Sequence, residues 1–131
     1  MKKTIEQLLE IDALVGGMFR KDQTLKDTKF GYAFSRFYKK NIDPHIKEYR
    51  EELQDLAVEH ALEDKDTKAL LVNEKGEYKY SKEGQKELTK AQRKLEKEFL
   101  SKEIEVEPYI SMYTPELTET QQEILSGTLV E

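Results

Sequence analysis

Apolar residues recur at helical spacing along most of the chain. Ile5, Leu8, Leu9 and Val15 keep a period near 3.6, and Thr4 with Gln7 three residues on has the spacing of a capping box. A first helix is therefore predicted within residues 1–20, ended by Gly16-Gly17, because glycine disfavours helix interiors and accepts the left-handed cap. Thr24, with Asp27 three residues on, is expected to open a second helical stretch over 24–63, interrupted near "NIDPH". Asp43-Pro44 fits either a new helix start with proline in its first turn or a kink in one long helix. Beyond it Ile42, Ile46, Tyr49, Leu53, Leu56 and His60 step by four and three in alternation, a heptad seam suited to a helical hairpin.

Residues 69–80 change character. Ala69–Val72 is a short apolar run, Asn73–Gly76 is a turn, and "EYKY" alternates, so a β-hairpin is predicted. Ser81 then caps a charged helix over 81–102, whose Leu88, Ala91, Leu95 and Phe99 form one narrow apolar face. "EIEVEP" alternates as a third strand candidate, expected to join the hairpin, and Thr114-Pro115 or Thr118 opens a last short helix ending at Ser126-Gly127. The expected fold is mainly α with a small antiparallel β element (α+β), a helical hairpin or bundle in a single domain over 1–131.

Helical phase also decides how "FGYAFSRFYKK" (30–40) is read. At about 100° per residue, Phe34 and Phe37 fall within about 40° of Phe30, whereas Arg36, Lys39 and Lys40 lie on the other side. Single-stranded nucleic acid is gripped where aromatic rings stand among cations. Here only Tyr32 shares the basic side and the other rings are sorted apart from the cations, so the stripe is expected to be core with a solvated basic back. Arg36, Lys39 and Lys40 remain candidate phosphate contacts, as does the like-charge row Lys86, Lys90 and Lys94.

Charge narrows the classes only a little. The chain of 131 residues has 22 basic and 27 acidic residues, a net charge of −5. Residues 103–131 carry glutamates but no Lys or Arg, so this segment is expected to fold back on the protein's own cations. With no cysteine, a disulfide framework and a thiolate metal site are both excluded. The N-terminal stretch is interrupted by Glu6, Glu10 and Asp12 and does not read as a signal peptide. No run reaches the ~18 apolar residues of a membrane span, so no membrane association is expected.

Little in the sequence resembles catalysis. Its two histidines stand as His45-x-x-Glu48 and His60-x-x-Glu63, but in one helix they would be ~22 Å apart, too far to share a metal. Gly16-Gly17 lacks the Lys-Ser/Thr of a phosphate loop, and no serine sits in a nucleophile elbow. The chain is expected to be non-enzymatic, with no cofactor.

Residues 45–131 give, in order, a charged helix, "LLVNEKGEYKYSKEGQKEL" and "EIEVEPYISMYTPELTETQQEIL". This layout resembles small proteins encoded in tailed-phage genomes of low-GC Gram-positive hosts. The resemblance implies a phage-encoded protein acting through a protein partner, as an assembly or virion component or as an inhibitor of a host protein. It implies location in the host cytoplasm or the virion. The expected contact residues are Ile46, Tyr49, Leu53 and Leu56 on the seam and Tyr109, Met112 and Tyr113 in "PYISMY". The alternative is a nucleic-acid-binding accessory protein that uses the basic helix faces.

Overall fold

In the computed structural model, which describes all residues Met1–Glu131, the fold is mainly α with one two-stranded antiparallel sheet. The chain divides into two compact units, Met1–Ile46 with Leu100–Glu131, and Lys47–Phe99.

The first unit is organised around helix α1 (Ile5–Lys21). Thr4 Oγ1 accepts from Gln7 N–H while Gln7 Oε1 accepts from Thr4 N–H, the reciprocal cap its sequence predicts. The helix does not stop at Gly16-Gly17 but runs on to Lys21. Val15 and Met18 flank the glycines and are both buried, and Phe19 packs edge-on to Phe30 and Phe34. Burying those side chains outweighs the ~1 kcal/mol each glycine costs a helix interior. Thr24 does not open a helix either. Asp22 caps a 3-10 turn (Gln23–Asp27), and Thr28 caps helix α2 (Lys29–Asn41).

Phe30 and Phe37 on α2 are fully buried, Phe34 is half-buried and Tyr32 is exposed, so the aromatic stripe is core as its phase requires. Gly31 is buried where α2 crosses the 3-10 turn. A Cβ there would lie 2.5 Å from both the Leu25 and Lys26 carbonyl oxygens, so only glycine fits the approach. α2 ends at Asn41, and helix α3 (Asp43–His60) starts after the buried Ile42. Pro44 thus stands in the first turn of a new helix, where its missing N–H has no intrahelical acceptor to lose.

The strand candidate in "EIEVEP" forms, but with a different partner. β2 (Glu103–Glu105) pairs with β1 (Lys2–Thr4) in the register Lys2↔Glu105, Lys3↔Ile104 and Thr4↔Glu103. Lys2 opposite Glu105 is a favourable cross-strand pair, and the N-terminal ammonium meets Glu105 Oε1 at 2.7 Å. That hydrogen bond and charge hold the Glu105 carboxyl below its ordinary pKa. Residues 106–118 follow without regular structure, and helix α5 (Glu119–Leu125) is capped by Thr118, which forms a second capping box with Gln121. α5 packs against α1, and Leu125, Leu129 and Val130 are buried in this unit along with Ile5, Leu8 and Ile11 of α1.

The second unit holds the rest of α3 and most of helix α4 (Lys82–Ser101), whose Gly84 N–H donates to Ser81 Oγ at 2.9 Å. The predicted hairpin between them is reduced to isolated bridges, Glu63↔Leu70 and Val72↔Tyr78. Leu71 bonds both Leu62 and Lys79, so three short runs of chain share single hydrogen bonds and build no continuous ladder. Asn73 Oδ1 accepts from Lys75 and Glu77 N–H, and Gly76 takes φ +79° at the turn. Leu88, 3% exposed, is the one buried apolar side chain of this unit.

Candidate interaction surfaces

Packing decides which of the expected contact residues remain available. On α3, Ile46 in the first unit is half-buried, as are Tyr49, Leu53 and Leu56 in the second. Tyr49 stacks on Phe99 of α4, with ring centroids 4.2 Å apart and planes 12° from parallel. Burial, followed by the nearby Glu96 charge, raises the Tyr49 phenol above its ordinary pKa. This part of the seam closes the helical hairpin itself. His60 belongs with it, half-buried, with Nδ1 2.9 Å from the Leu56 carbonyl.

The "PYISMY" segment divides. Tyr109 is half-buried, its ring 5.5 Å from the Arg36 guanidinium, which also lies 5.9 Å from the Tyr32 ring. Arg36, a candidate phosphate contact, therefore spends its flat cation on two aromatic rings, and Lys40 sits 3.8 Å from Glu107. Lys39 stays exposed on the same helix. Met112, by contrast, is 92% exposed, with Tyr113 at 45% and Ile110 at 40%. Ile110 and Met112 border a shallow groove of about 600 Å³ lined also by Ser111, Thr114 and Gln122.

These exposed side chains stand on a fastened backbone. Tyr109 N–H donates to Thr128 O and Ser111 N–H to Leu129 O, at 2.8 and 2.9 Å. Ser111 Oγ also bonds the Tyr113 carbonyl, drawing the loop into a tight turn. Upstream, the buried Asn41 carboxamide pairs with both backbone groups of Glu107: Nδ2 donates to its carbonyl and Oδ1 accepts its N–H, each at 2.8 Å. Asn41 is absent from the residues expected from sequence. Its only sequence signal is a short polar side chain at the end of an amphipathic helix, just before the buried Ile42.

The row Lys86, Lys90 and Lys94 is divided, its last member lying about 80° round the helix from the first. All three are exposed, but Lys94 turns towards α3 and lines a groove of about 470 Å³ with Leu56, Ala91 and Leu95. Glu52, Asp55, Glu59 and Glu98 line the same groove. Lys86 and Lys90 instead group with Arg93 on the outer side of α4. No set of three or more histidine or carboxylate side chains converges to hold a metal, and no helix is long and apolar enough to cross a membrane. Comparison of the chain with protein-family models, curated proteins and solved structures finds no match.

Proposed function

We propose that this is a non-enzymatic protein-interaction protein whose contact surface is the Ile110–Met112–Tyr113 loop. One observation carries the proposal: three large apolar side chains within four positions are held out to solvent on a backbone fastened at Glu107, Tyr109 and Ser111. Exposed apolar surface of this kind gains free energy when a partner covers it. A loop already held in place loses little conformational entropy on binding, and aromatic and methionine side chains suit such contacts. From the layout of residues 45–131, a pattern read from the sequence alone, we infer a role as an assembly or virion component or as an inhibitor of a host protein.

Binding to nucleic acid is the competing function, and salt distinguishes the two. Phosphate contacts release counterions and weaken steeply with salt, whereas an apolar contact does not. Duplex DNA and single-stranded RNA are titrated against the purified chain at about 0.15 M salt, where non-specific phosphate binding lies at ~10⁻⁴ to 10⁻⁶ M. No binding in that range or tighter is expected. Micromolar binding of either nucleic acid, lost when Lys86, Lys90 and Arg93 are replaced by glutamate, overturns the proposal.

A further inference from the structure

The second unit carries opposite charges on separate surfaces. On α4, at about 100° per residue, Lys82, Lys86, Lys90, Arg93 and Lys97 fall within one sector about 80° wide, over about 22 Å of helix. Glu83 and Glu87 border that sector beside Lys86 and Lys90, but no acidic residue of α4 lies inside it, and all five cations are exposed. Lys86, Lys90 and Arg93 have no carboxylate within ion-pair distance. On α3, Glu48, Glu52, Asp55 and Glu59 fall within a sector about 60° wide, on one side of the Tyr49–Leu53–Leu56 seam. Three of these, with Glu98 and a single cation, Lys94, rim the groove whose floor is Leu56, Ala91 and Leu95.

We propose that a second copy of this chain occupies that groove, laying the cationic back of its α4 between the carboxylates. The occupant follows from charge. Groove against groove would set carboxylates against carboxylates, and stripe against stripe would set cations against cations. Only stripe into groove brings opposite signs together, and the lysine stems can lie along the apolar floor while their ammonium groups reach the rim. The whole unit has 12 basic and 14 acidic residues, so its net charge of −2 does not favour a polyanion over a second copy. Stripe and groove are different surfaces, so the contact is heterologous: each copy offers a free stripe at one end and a free groove at the other. This contact is independent of the Met112 loop.

The test uses the full chain and two charge-reversal variants. The first, K86E/K90E/R93E, loses the stripe and keeps the groove. The second, E52K/D55K/E59K, loses the groove and keeps the stripe. Mass is measured by light scattering against concentration at about 0.05 and 0.5 M salt, where the screening length falls from above 10 Å to below 5 Å. The wild type is expected to exceed twice its 15.4 kDa monomer mass at low salt and to return towards it at high salt. Each variant alone is expected to be monomeric, while an equimolar mixture at low salt associates again, because the intact stripe of one variant meets the intact groove of the other. That mixture also guards against misfolding, since each variant must still present its intact surface. A wild type that stays monomeric at low salt, variants that associate like the wild type, or a mixture that stays monomeric would overturn the proposal.

Discussion

Replacing Asn41 by alanine should release residues 106–108 from the first unit. The side chain is 3% exposed and makes three hydrogen bonds, two to the backbone of Glu107 and one to Phe37 O at 3.2 Å. The Phe37 carbonyl already accepts from the helix, so the loss is counted on Glu107. A buried backbone group stranded without a partner costs about 1–3 kcal/mol. Glu107 is only partly covered, so the low end applies to each of its two groups, giving about 2–3 kcal/mol. For a chain of this size, that corresponds to a fall in Tm of roughly 8–12 °C.

Asn41→Asp sharpens the test. An aspartate keeps the acceptor for Glu107 N–H but sets its second oxygen against the Glu107 carbonyl. Burial and that carbonyl raise the folded pKa of the new carboxyl above its unfolded value. The folded state then holds the proton more tightly, so the variant is most stable below the unfolded pKa and loses stability as pH rises through the folded pKa. Urea unfolding followed by circular dichroism at pH 7 and pH 4 reads both effects. An alanine variant within about 0.5 kcal/mol of wild type, well inside the loss expected for two stranded groups, would refute the reasoning. So would an aspartate variant no more stable relative to wild type at pH 4 than at pH 7.

The glycines and one carboxylate give further outcomes. Gly31→Ala should destabilise the chain by about 1–3 kcal/mol despite alanine's better helix propensity, because two backbone carbonyls occupy the site; a stabilised variant in the same urea titration contradicts the close approach. Gly16→Ala meets nothing within 4 Å and should gain about 0.5–1 kcal/mol, the opposite sign within the same core. Asp12 on α1 has its pKa raised by burial, so its charge opposes folding above that pKa and stops doing so as pH falls below the unfolded value. Asp12→Asn should therefore melt above wild type at pH 7, with the gap closing on acidification.

Where local chemistry decides structure, the sequence was a good guide. The two capping boxes at Thr4 and Thr118, the cap at Ser81 and the buried Phe30 and Phe37 follow from spacing alone. Errors arose where contacts distant in sequence took over. Gly16-Gly17 lies in a helix because Met18 and Phe19 have partners to bury against, and "EIE" pairs with residues 2–4 across a hundred positions. A period-2 pattern fixes that a strand forms but not which edge it meets. The candidate surfaces divided for the same reason. Met112 and Tyr113 were expected as contacts and stand exposed, while Tyr49 and Tyr109 met rings and a guanidinium that only the folded chain brings near. The stripe on α4 was half visible, since stepping by four from Lys86 reaches Lys94 in the groove and misses Arg93 and Lys97.

The most direct test of a protein-binding loop is a photo-crosslinking amino acid placed at position 112, with a second chain carrying it at the exposed Lys26 as control. Each is irradiated in the cells that express it, and adducts are resolved by mass. The proposal predicts one or a few discrete protein adducts at 112 that are absent at 26 and lost on adding Tyr113→Glu. Identical adduct patterns at both positions, or adducts to nucleic acid alone, would contradict it.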